Sequence, residues 1–242
     1  MKSLNILSGG AAHGLVASLT PAFKDLTGFD IAGDFGAVGI MADKLRRGSP
    51  ADIVILTAAL LAELAEEKLV VAATIADVGL VETALAVRTA DPEVTARDAA
   101  GLRAALLASD AIFVPDTKAS TAGIHVAKVL QQLGIAEEVA ARLRIFPSGA
   151  TAMSELAASD ARRPLGCTQS TEIISTKGVK LSGALPTGFE LATMYTAGIT
   201  TAASHPQQAR ELIDLLIGAG QHEQRKRAGF MSEPQPGQRA PT

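Results

Sequence analysis

One unit recurs along this chain and constrains its fold more than any single residue does. A short apolar run ends in a loop of small residues, and that loop feeds the first turn of a helix. The stretch Phe35–Thr57 shows the unit most fully. Gly36-Ala37-Val38-Gly39 is the loop, and the helix after it sets Ile40, Met41 and Leu45 opposite Asp43, Lys44, Arg46 and Arg47. Gly48 supplies a left-handed stop, Ser49-Pro50 forbids continuation, and Ile53-Val54-Ile55-Leu56 reads as a buried parallel strand. Asp52, just before that strand, reads as a local backbone cap.

The same junction follows four other predicted strands. Residues 3–8 lead to Ser8-Gly9-Gly10-Ala11, and Ala111–Val114 to Ser120-Thr121-Ala122-Gly123. Arg144–Phe146 lead to Ser148-Gly149-Ala150-Thr151, and Pro164–Thr168 to Gln169-Ser170-Thr171-Glu172. Strands alternating with helices predict an α/β fold with mostly parallel sheet, whose ligand sites lie beyond the carboxyl ends of the strands. A side-chain-poor loop at a helix N-terminus lets backbone N–H groups reach an anion. Two long runs, Val78–Val87 and Phe189–Thr200, suit strands passing between two lobes.

Composition narrows the function classes. The chain has 242 residues, 48% of them apolar but only 3% aromatic, and a formal net charge of −3. Its only basic block is Arg225-Lys226-Arg227, so neither a phosphate-tracking surface nor a stacking platform for nucleic acid is expected. No apolar run approaches the roughly 20 residues of a membrane span, so no membrane insertion is expected. Cys167 is the single cysteine, which excludes an internal disulfide and leaves the compartment open. No dinucleotide fingerprint, phosphate-binding P-loop, HExxH or paired-cysteine motif is present, so no cofactor and no metal are expected. Residues 231–242, rich in Pro, Gln and Gly, read as a disordered tail.

On three anchors the chain resembles the molybdate-binding-protein family, the solute receptors of molybdate importers. They are Gly48-Ser49-Pro50-Ala51-Asp52-Ile53, Ala122-Gly123-Ile124 with Leu130-Gln131-Gln132-Leu133-Gly134, and Pro164-Leu165-Gly166. The resemblance covers roughly residues 3 to 230 and implies a two-lobed type II periplasmic-binding-protein fold. Each lobe would be a mostly parallel sheet flanked by helices, with two crossing hinge strands and an anion clamped between the lobes. It places lobe 1 at 1–82 plus 190–230 and lobe 2 at 83–189. It also implies an ABC permease as partner if the protein is exported. The compartment is then the periplasm if a leader has been removed, and otherwise the cytoplasm.

The family holds its oxyanion at these same junctions, so the resemblance assigns ligand contacts to Ser8, Gly9, Gly10 and Ala11, to Ala37 and Val38, and to Ser120 and Thr121. It adds Gly149, Ala150 and Thr151, and finally Thr168, Gln169 and Ser170. The chain departs from the pattern in three places. Ala12-His13 stand where a serine is usual, Ala37-Val38 carry no hydroxyl, and the junction where many members place a tyrosine is Thr168-Gln169-Ser170. Each hydroxyl missing from a buried oxyanion costs about 1–3 kcal/mol. A polycarboxylate therefore suits the site better than a molybdate-like oxyanion. A branch resembling these receptors includes an aconitate isomerase, which shifts a double bond in a tricarboxylate by acid/base proton transfer. His13, His125 and Glu172 are the ionisable candidates for that chemistry. His13 and Glu172 each have a plainer reading, His13 as a solvated helix residue and Glu172 as a partner of a helix dipole, and His125 lies in the first turn of the helix after Ser120, beside a solvated Lys128.

Overall fold

The computed structural model describes residues 2–231. The chain opens with β1 (Ser3–Gly9), a single 3-10 turn at Gly10–Ala12, and α1 (His13–Thr27). The apolar spacing of α1 buries Leu15, Val16, Leu19 and Phe23, and Gly28 ends the helix at φ 74° with its N–H on the Lys24 carbonyl. Next come β2 (Asp30–Gly36), α2 (Val38–Arg46), β3 (Ile53–Thr57), α3 (Ala58–Glu66) and the long β4 (Ala76–Arg88). Gly48, beyond α2, has φ 81° as its place in the sequence predicts.

The chain continues through α4 (Ala99–Ala108), β5 (Ala111–Pro115), α5 (Thr121–Gln132), α6 (Ala136–Val139) and β6 (Leu143–Phe146). Then follow α7 (Gly149–Ala158), β7 (Pro164–Gln169), α8 (Ser170–Ser175) and β8 (Val179–Ala184). It closes with β9 (Ala192–Ile199), α9 (Pro206–Ile217) and α10 (His222–Arg227).

These elements form two compact units, the described parts of which are residues 2–81 with 193–231, and residues 82–192. In the first unit the strand order is β2-β1-β3-β9, with the first three parallel and β9 antiparallel to β3. Parallel register (Gly9 beside Gly36, Ser8 beside Ile55) puts the carboxyl ends of β1, β2 and β3 at one edge of the sheet. Leu4, Ile6, Phe23, Ile53, Ile55, Leu61, Leu64 and Leu212 lie among its fully buried residues. β2 is the outer strand, and its Asp30 and Asp34 pair with Lys24 and Lys44, charges that discourage further strand addition.

In the second unit β7, β5 and β6 are parallel neighbours, while β4 runs antiparallel to β7 and carries β8 on its other side. The alternation along β4 shows that this sheet is covered on both faces. Leu85 and Val87 pack with Leu102, Ile112 and Leu165, whereas Ala84 and Ala86 pack with Phe113, Met153 and Leu156. Of the expected tail 231–242, Met231 pairs with Leu80 in an antiparallel bridge, and the remainder lies outside the described residues.

Candidate functional site

In the first unit the junctions after β1 and β2 meet. A Cβ added to Gly9 would lie 2.7 Å from Cγ1 of Val38 and 2.9 Å from Cε1 of Tyr195, so glycine is what lets these three segments close up. Gly10, Ala11, Ala37 and Val38 are buried around that contact. Ser8 is buried too, and its hydroxyl donates to the Gly9 carbonyl at 2.9 Å. Ala37, the residue before α2, offers no side-chain cap. His13 is exposed, its ring tilted against Phe35 with centroids 4.6 Å apart.

In the second unit the parallel strands β5, β6 and β7 deliver three junctions to one sheet edge. At the first, Ser120 is buried and starts α5 without a side-chain cap bond, and Thr121 is half-buried. The backbone is drawn in so closely that a Cβ on Gly123 would lie 2.1 Å from the Asp116 carbonyl oxygen. His125, one turn on, has its Nε2 2.7 Å from the Phe189 carbonyl oxygen, a contact that fixes the ring.

The other two junctions converge on Glu172. This side chain is buried, and its Oε2 accepts the Thr168 hydroxyl at 2.6 Å. The backbone N–H groups of Ala150, Gln169 and Gly149 donate to it as well. Desolvation pushes its carboxyl above the ordinary glutamate range, and those four donors pull against the rise. Thr151 is exposed, and its N–H goes to the Ser148 hydroxyl at 3.1 Å. The N–H of Ala152 goes to the Ser148 carbonyl. The first turn of α7, which the sequence assigns to a ligand, is thus filled by the chain's own carboxylate and its own cap. Glu172 lies in the first turn of α8, where it accepts the N–H of Gln169, the residue that opens that helix, and it reaches the start of α7 as well.

Gln169 and Ser170 complete the last junction, both buried. Three further side chains were assigned no ligand contact from the sequence. Thr83 of β4 sits directly across from Gln169 in the antiparallel register. Thr171 is buried in the first turn of α8. Tyr195 packs on Gly9. The available signal for Thr83 was a polar pair, Glu82-Thr83, interrupting an otherwise apolar strand. Among the described residues no group of three or more His, Cys, Asp or Glu could hold a metal ion, and no helix is long and apolar enough to cross a membrane.

Similar folds and sequences place this geometry. The periplasmic molybdate-binding protein of Azotobacter vinelandii superposes with a TM-score of 0.78 at 19% identity, over 96% of this chain and all of that one. The sulfate-binding protein of Mycobacterium tuberculosis gives 0.74 at 17% identity, over 95% of this chain and 86% of that one. Both carry the two-lobed type II binding-protein fold expected from the sequence. An aconitate isomerase from a Pseudomonas species is 24% identical over 222 residues, 88% of this chain and 82% of that protein. The sequence model of the bacterial extracellular solute-binding proteins matches residues 4–231, and the chain belongs to that family.

Proposed function

We propose that this chain is the solute receptor of an ABC importer, working in the periplasm and handing its ligand to a membrane permease. Its ligand is a small carboxylate-bearing organic anion. Of the junction residues, Ser120, Thr121, Gln169 and Ser170 of the second unit would supply contacts. One observation carries the choice of ligand class: several of the donors that a tetrahedral oxyanion would draw on are missing or already engaged. Ala37 and Val38 have no hydroxyl, Ser8 donates to Gly9, and the amides of Gly149 and Ala150 donate to Glu172. A dianion held by so few free donors loses its compensation for desolvation.

A ligand that binds only the folded protein raises its melting temperature. A panel of molybdate, tungstate, sulfate, citrate and both aconitates is expected to shift the melt with the carboxylates and not with the tetrahedral ions. A large shift with molybdate and none with the carboxylates overturns the assignment.

The isomerase relative supports a second reading, in which a base takes an allylic proton from a tricarboxylate and an acid returns one at the other allylic carbon. The ionisable candidates weigh against it. His125 is bonded to a backbone carbonyl, Glu172 is enclosed by four donors, and His13 lies exposed against Phe35. Incubation with trans-aconitate, with the cis isomer followed by chromatography, tests it; the receptor reading expects no conversion.

A further inference from the structure

The second unit carries a group of buried polar atoms with no partner. Gln169 is 2% exposed, and neither its Nε2 nor its Oε1 has a hydrogen bond. Thr83, 1% exposed, faces it across the β4–β7 ladder, and its Oγ1 is unpaired. The Oγ1 of Thr171, two residues beyond Gln169, is buried and unpaired as well. Directly opposed residues of an antiparallel pair project to the same face with their Cβ atoms about 5 Å apart. The primary amide of Gln169 and the hydroxyl of Thr83 therefore share one surface. Buried polar groups are nearly always satisfied, and a set left open together points to a partner that arrives from outside.

The chemistry of the set restricts that partner. The Gln169 amide offers two N–H donors on Nε2 and an acceptor on Oε1, and each threonine hydroxyl donates or accepts. A carboxylate oxygen satisfies Nε2, but Oε1 then needs a hydrogen-bond donor from the ligand. Molybdate and sulfate are acceptors only and leave Oε1 facing negative charge. An ammonium group would require a carboxylate beside it, and the Glu172 carboxyl is turned instead to Thr168 and backbone amides.

We infer that Gln169 and Thr83 form a specificity subsite for a hydroxyl-bearing carboxylate, reading the ligand's hydroxyl and a carboxylate oxygen together. This rests on the receptor reading above and adds to it the requirement for a hydroxyl.

Matched probes separate the two claims. Citrate and tricarballylate share a skeleton and differ by one hydroxyl, as do malate and succinate. Titration calorimetry on the full chain is expected to show the hydroxylated member of at least one pair bound about tenfold or more tightly, because a polar site rejects the analogue that leaves it unpaired. Gln169→Leu should bring that ratio to about one while far-UV circular dichroism stays unchanged. Should that variant not fold, Thr83→Val carries the same expectation. Equal affinity within both pairs, or a ratio that survives both substitutions, overturns the subsite and leaves the receptor reading standing. Binding of molybdate or sulfate alone overturns both.

Discussion

The carboxyl group of Glu172 occupies the space that a side chain on Gly149 would need. An ideal Cβ there would sit 1.8 Å from Oε2 of Glu172 and 2.1 Å from Oγ1 of Thr168. Gly149→Ala must therefore push a buried, multiply bonded carboxylate off the start of α7. The expected loss is roughly 1–3 kcal/mol, the usual range for overpacking a filled site. Urea unfolding of the variant beside the wild type measures it, and an unchanged midpoint would show that the carboxyl moves aside freely.

The same carboxyl links stability to pH. Burial raises the folded-state pKa of Glu172 above its unfolded value, so the folded protein binds the proton more tightly. Its contribution is fully present below about pH 4.5, the unfolded value, and is lost as pH rises through the folded pKa. Glu172→Gln keeps the shape and cannot ionise. The stability difference between wild type and Glu172→Gln should shift in favour of the variant as pH rises from 4.5, as read from urea midpoints at half-unit steps. A difference independent of pH would mean that the four donors cancel the desolvation.

Asp52 joins three segments of the first unit. Its side chain accepts the N–H of Asn5 at 2.9 Å and of His205 at 2.8 Å, and its backbone bonds to Asn5 and Thr200. Asp52→Ala leaves two amides without their charged acceptor and should cost about 3 kcal/mol, while Asp52→Asn should cost about half as much. Equal losses for the two variants would show that the charge contributes nothing.

Cys167 is buried, and desolvation pushes its thiol up to about 12. The thiolate is the reactive species. Labelling by a disulfide reagent at pH 8 should therefore be absent in the folded protein and complete in denaturing urea. Rapid labelling without denaturant would show that β7 opens locally.

The strands and junctions were readable because their signals are local. Four apolar residues at Ile53–Leu56 followed by small residues specify a buried strand and a helix start without reference to the rest of the chain. Boundaries were less readable. The run Phe189–Thr200 reads as one strand, but β9 covers only Ala192–Ile199, because ladder pairing rather than local hydropathy sets its length. The destinations of buried polar side chains were the least readable of all. Asp52 looks like a local cap and instead bonds the amide of His205, far along the chain. Glu172 reads as a partner for α8, and it reaches the start of α7 as well. Thr83 shows in the sequence only as half of a polar pair, and the strand register is what sets it opposite Gln169.

The first unit is assembled from the two ends of the chain, and the second from its middle. The ribosome thus delivers every strand of the second sheet before it releases β9, the antiparallel neighbour that β3 requires. What is translated earliest is the last to lock, and β3 waits with one edge unpaired while the interior of the sequence settles.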